Sequence, residues 1–192
     1  MAVIDNGSLD LYLADVARAY DALPADDSSP VVLRCYAALC RELSAQFDVL
    51  SAFVSVHFTP ADPYKTSREL FDSIGVYRHM RVFTGGEPIA PNHMFAHRAL
   101  ITGENYNLVF RAVHDGLAHY PGKHSFSALG EYRAFLAHAR LLSPDAVRAI
   151  ATETLGQNAY YNVHGKYAPQ KFALLPPALI ARAFTLADEV NR

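Results

Sequence analysis

NYNLVFRAVHDGLAHYPG, residues 105–122, sets the fold class: its apolar positions Leu108, Val109, Ala112, Val113 and Leu117 return at helical spacing, and Tyr120-Pro121-Gly122 stops the pattern. The stretch that follows, 125–142, predicts a second helix. Ser143-Pro144-Asp145 supplies a capping serine, a proline for the first helical position and an acid for the first turn, which predicts a third helix from about 144 to 158. Residues 166–175 read as extended or irregular, and Pro176 opens a closing helix to Val190. Upstream, Leu9, Leu13, Val16, Ala17 and Tyr20 mark a first helix, and Val32, Tyr36, Leu39, Cys40 and Leu43 a second; the polar loop PADDSSP (24–30) separates them. VLSAFVSVHF (49–58) and YRHMRVF (77–83) predict two strands that pair as a small sheet, with a short helix capped by Ser67 between them. The expected architecture is a mainly α fold with a small β element, α+β, in one compact domain spanning 1–192.

Composition bounds the function. A chain of 192 residues buries enough surface, roughly 70%, to fold without a disulfide or metal staple. With 17 basic against 19 acidic residues and a net charge of −2, it lacks the basic surplus that bulk nucleic-acid binding requires. Cys35 and Cys40, five apart in an apolar helix, read as reduced core residues. No apolar run reaches membrane-spanning length, and the N-terminus carries Asp5, Asp10 and Asp15 in place of a basic leader, so a cytoplasmic location is expected.

The chemistry concentrates between about 105 and 176. His114, His119, His124 and His138 fall within 25 residues, beside Asp115, Glu131 and, further on, Glu153. Two histidines and one carboxylate suit Fe(II) and leave three positions open for oxygen and substrate. Five-residue spacing turns His119 about 140° away from His114 on an ideal helix, so convergence requires the backbone to loosen, which Gly116 permits. Glu153 sits within the well-capped third helix and reaches toward the same ion. Glu131 and His138, seven apart, share a helix face and are candidates for orienting ligands or taking part in catalysis with Asp115. Gln157 and Asn158 are candidates to hydrogen-bond a planar substrate, Tyr167 to pack against it, and Lys171 to neutralise a substrate carboxylate or phosphate. His124, after a Pro-Gly turn, reads as a loop residue.

HDGLAH, the nearby Pro121, the distant TETLGQN and the later GKYAPQKFALLPP resemble the pterin-dependent aromatic amino acid hydroxylases over about 70 residues. The resemblance implies that His114, His119 and Glu153 hold Fe(II), with Asp115 standing where that family has glutamate. It implies an O2-dependent hydroxylase of a small, ring-containing substrate, an amino acid or a nucleobase. The chain is much shorter than that family's catalytic domain and has no tryptophan, so the reductant, a pterin or another, is left open. The same segments look like those of bacteriophage-encoded proteins, which would place the chain in a host cytoplasm. Two other readings stand beside this one. His114-Asp115 also resembles the HD-type metal-dependent nucleotide phosphohydrolases, with His93 or His97 upstream and Asp145 downstream completing the site. A phage structural or interaction protein with a closed zinc site would instead add His138 or Glu131 as fourth ligand.

Overall fold

Burial at Leu9, Tyr12, Leu13, Val16 and Tyr20 follows the spacing expected for the first helix, which becomes α1 (Asn6–Asp21) in the computed structural model. The structure describes residues 6–190; Asp5, one of the three N-terminal acids, lies outside them. Ser29 caps α2 (Pro30–Ser51), its hydroxyl accepting from the Val32 amide, with Pro30 in the first turn.

Here the structure corrects the sequence reading. The segment from 49 is not yet a strand: α2 continues to Ser51, because Leu43, Phe47, Leu50 and Val54 are buried at steps of four, three and four while Val49 and Phe53 face solvent. Only Ser55–Thr59 is strand β1. It pairs in parallel with β2 (His79–Phe83), Ser55 against His79 and Thr59 against Phe83. Parallel pairing needs a crossover, and α3 (Ser67–Tyr77) supplies it. Thr66 rather than Ser67 is the cap of α3: its hydroxyl accepts from the Glu69 amide at 3.3 Å, and the Glu69 carboxylate accepts from the Lys65 amide at 2.9 Å. Arg78, at φ 52°, turns the chain from α3 into β2.

The second half is built from two helical rods, each interrupted by a π-helical turn. In the first, α4 (Tyr106–Val113) runs into the π turn His114–His119 and ends in α5 (Tyr120–Gly122). Between the rods lies α6 (Ala128–Ala139), shorter than the stretch read from sequence. In the second rod, α7 (Pro144–Ala151) passes through the π turn Thr152–Gly156 into α8 (Gln157–His164), so it extends beyond residue 158. Ser143 does not cap α7 with its side chain. Its hydroxyl and amide donate instead to the two oxygens of Glu42, at 2.6 and 2.8 Å, which ties the start of α7 to α2.

α2 packs on α7 and α1 on α8, and α9 (Pro177–Val190) closes the molecule. Two buried tyrosines fasten it: Tyr12 donates to the Leu179 carbonyl at 2.9 Å and Tyr132 to that of Ala183 at 2.6 Å. Cys35 and Cys40 are buried and free, as expected. Among the described residues no helix is long and apolar enough to cross a membrane. The chain forms a single, mainly helical α+β domain with both π turns facing one cavity.

Candidate metal centre

The π turn solves the spacing problem in HDGLAH. A π turn closes its backbone hydrogen bonds over five residues instead of four, so residues five apart come to nearly the same side. His114 and His119 accordingly stand edge to face, their ring centres 4.9 Å apart and both rings buried. Gly116 matters for a different reason than backbone freedom, since its φ is not positive. A Cβ there would lie 2.6 Å from Leu50 Cδ1, so glycine is what lets the widened turn rest on α2.

Glu131 joins this pair from the first turn of α6, where Ser127 accepts from the Gly130 amide at 3.2 Å. One ligand atom from each of His114, His119 and Glu131 lies within 4.8 Å of the others. Glu131 Oε2 is 3.4 Å from His119 Nε2 and 3.9 Å from His114 Nε2, and accepts from Asn158 Nδ2 at 2.9 Å. His119 Nδ1 donates to the His124 carbonyl at 2.8 Å, which aims Nε2 at the cluster. His114 Nε2 is buried and has no hydrogen-bond partner, since 3.9 Å is too long for one. A buried ring nitrogen left bare next to a second imidazole and a carboxylate is the donor set a divalent transition metal takes.

Glu153, the third ligand read from sequence, occupies the second π turn. It lies outside the group of three, although its side chain lines the same cavity. Three donors hold its buried carboxylate: the Tyr36 hydroxyl and His93 Nε2, the latter at 3.2 Å, on Oε1, and Gln157 Nε2 at 2.8 Å on Oε2. Because the Phe95 amide donates to His93 Nδ1 at 3.0 Å, the proton of that ring sits on Nε2, toward Glu153. His93 is thus committed to Glu153. His97 is exposed, and Asp145 pairs with Arg34 at 2.9 Å on the surface, so neither companion proposed for an HD-type site reaches the cavity.

The cavity measures about 380 Å³. Phe83 and Phe110 supply apolar wall, and Asp115, Gln157, Asn158 and Tyr167 also line it. Lys171 does not. Its ammonium donates to the carbonyls of Asp21 and Leu23, both at 2.6 Å, and so finishes the end of α1 instead of meeting a substrate. His138 stands behind His114, their Nδ1 atoms 3.2 Å apart, and lies outside the group of three. Among the lining residues that were not legible in the sequence, Arg111 and Gln170 bring polar groups. Arg111 is pinned by the carbonyls of Phe83 and Gly85 at 2.8 and 2.6 Å, and Gln170 presents a buried Oε1 without a partner. Nothing in their local sequence separates them from ordinary surface residues.

The electrostatics follow from burial and from the pairing. Burial pushes Asp115 up to about 6, so near neutral pH it still holds a proton part of the time. Burial opposes charge on His119, yet Glu131 and Asp115 lift its pKa to about 9. Against its own burial, Glu131 is pulled to about 2 by the imidazoles beside it, the positive charge being that of His119 at 3.4 Å. Burial lowers His114 and holds His138 well below the ordinary histidine value, keeping both rings neutral.

Comparison of the chain with protein-family models, with curated proteins and with solved structures finds no match.

Proposed function

We propose that the chain is a non-heme Fe(II)- and O2-dependent hydroxylase acting on a small ring-containing substrate in the cavity beside His114 and His119. The observation that carries this reading is the bare, buried His114 Nε2 facing His119 Nε2 and the Glu131 carboxylate. Iron held there supplies the capacity to bind and reduce O2 at the positions the protein leaves open. Two neutral imidazoles and one carboxylate leave a ferrous ion at net +1.

The chain's own residues do the rest. The His124 carbonyl and Asn158 orient His119 and Glu131. Phe83 and Phe110 exclude water from one side of a substrate ring, while Gln170 Oε1 accepts a hydrogen bond from it. Asp115, poised to hold or release a proton, serves as the acid–base group on the cavity wall. The two electrons that hydroxylation needs beyond those of the substrate come from a reductant, a pterin or another.

A second ligand set is favoured by one observation: Glu153, like the two histidines, sits in a π turn that faces the cavity, and such turns recur at functional sites. Anaerobic Fe(II) titration separates the two. With Glu131 as ligand, Glu131→Gln loses tight iron binding and Glu153→Gln keeps it; the reverse result makes Glu153 the ligand. His114→Ala and His119→Ala lose iron in both cases, and full retention in these two variants rejects the metal reading.

A further inference from the structure

Behind the candidate ligand His114 runs a hydrogen-bond chain whose proton positions are fixed by its far end. Gln46 Nε2 donates to the Leu141 carbonyl at 3.2 Å. A carbonyl can only accept, so the amide cannot be turned over, and its Oε1 faces His138 Nε2 at 2.9 Å. That oxygen also only accepts, which puts a proton on His138 Nε2. The His138 ring is fully buried, with Gln46 Oε1 and His114 Nδ1 as its partners and no carboxylate against it, so it carries that one proton and its Nδ1 is bare. It lies 3.2 Å from His114 Nδ1, which must therefore carry the proton of the His114 ring. His114 Nε2 is buried and meets no hydrogen-bond acceptor, so it is left as a lone pair. The opposite tautomer of His114 would set two lone pairs against each other at the Nδ1 contact. It would also point an N–H into a space where it finds no acceptor within hydrogen-bond distance, Glu131 Oε2 being 3.9 Å away.

We propose that Gln46 and His138 are positioning residues that fix the His114 proton on Nδ1 and so present its Nε2 lone pair to the metal position. The last step of this inference rests on the metal reading; the proton positions do not. A ligating imidazole whose second nitrogen donates to a neighbour is held in orientation and made a better donor, and loss of such a neighbour weakens metal affinity about 10- to 100-fold.

The test reads the protons directly, in metal-free, 15N-labelled protein by long-range 1H–15N correlation of the histidine rings at neutral pH. Expected are a protonated Nδ1 and bare Nε2 for His114, and the opposite for His138. Gln46 is only half-buried, so Gln46→Leu keeps the fold while removing the acceptor. In that variant both rings shift to mixed tautomers and Fe(II) affinity falls about 10-fold or more. Gln46→Glu, which retains an acceptor, restores both readouts toward wild type. A residue that merely filled space would change thermal stability and leave the ring nitrogens alone. The relay is overturned if wild-type His114 carries its proton on Nε2, or if Gln46→Leu leaves both tautomers unchanged. A chain that shows the expected pattern and binds no iron retains the relay and rejects the metal reading, whereas iron binding with the opposite pattern does the reverse.

Discussion

At the scale of single residues, the metal-free centre behaves as one buried ion pair, and its sign can be worked out. The folded pKa of His119, about 9, exceeds the ordinary value of 6.5, so its stabilisation is complete below 6.5 and lost as pH rises through 9. Glu131 is depressed from 4.5 to about 2, so its share is present above 4.5 and lost as pH falls through 2. Both shifts describe the same contact and are counted once. The stability advantage of metal-free wild type over His119→Gln should therefore be largest between about pH 4.5 and 6.5 and shrink by about 3 kcal/mol toward pH 9. Urea unfolding of both proteins at pH 6 and pH 9 measures it; a constant difference would rule the pair out as described. The residues of this pair were legible to different degrees. His114 and His119 stand out by their spacing, whereas Glu131 reads as part of a polar stripe until Ser127 fixes where α6 begins. Tyr36, Gln46 and His93 were not legible as supporting groups, because their partners lie 117, 92 and 60 residues away, and no local pattern encodes such pairings.

At the scale of elements, the two π turns are what the sequence concealed. Helical periodicity located both rods, and the mismatch between five-residue spacing and an α-helix showed that His114 and His119 required a local widening. The widening in the second rod has no such flag, since Glu153 is a single ligand candidate with no partner in its own turn. The strand misread at 49–51 has a related cause: Val49 to Val54 is apolar and short enough to fit either period, and only packing decides between them. The contact between Gly116 and Leu50 tests whether the first turn depends on its seat on α2. Gly116→Ala should cost about 1–3 kcal/mol through overpacking and weaken iron binding. In a Leu50→Ala background the same change should cost less, because the colliding methyl is gone. Thermal denaturation of the four proteins in that cycle gives the coupling, and strictly additive costs would show that the turn does not lean on Leu50.

At the scale of the whole molecule, α1, α2 and α9 form the frame that holds two widened helical rods beside the cavity that both π turns line. The mainly helical class and the small β element were readable from periodicity and turn signals. The parallel sense of the two strands follows once α3 is seen to lie between them. What the frame builds is a cluster of possible donors with open cavity beside it, and under the proposed function an open coordination position is what would separate an oxygen-activating site from a closed structural one. Nitric oxide binds ferrous iron only where a coordination position is vacant or held by exchangeable water, so it reports openness with no knowledge of the substrate. Electron paramagnetic resonance of the anaerobic, Fe(II)-loaded protein exposed to nitric oxide should show the high-spin signal of one iron-nitrosyl per chain, and His114→Ala should lack it. Wild-type protein that takes up no iron, or takes it up and gives no nitrosyl signal, would contradict the account.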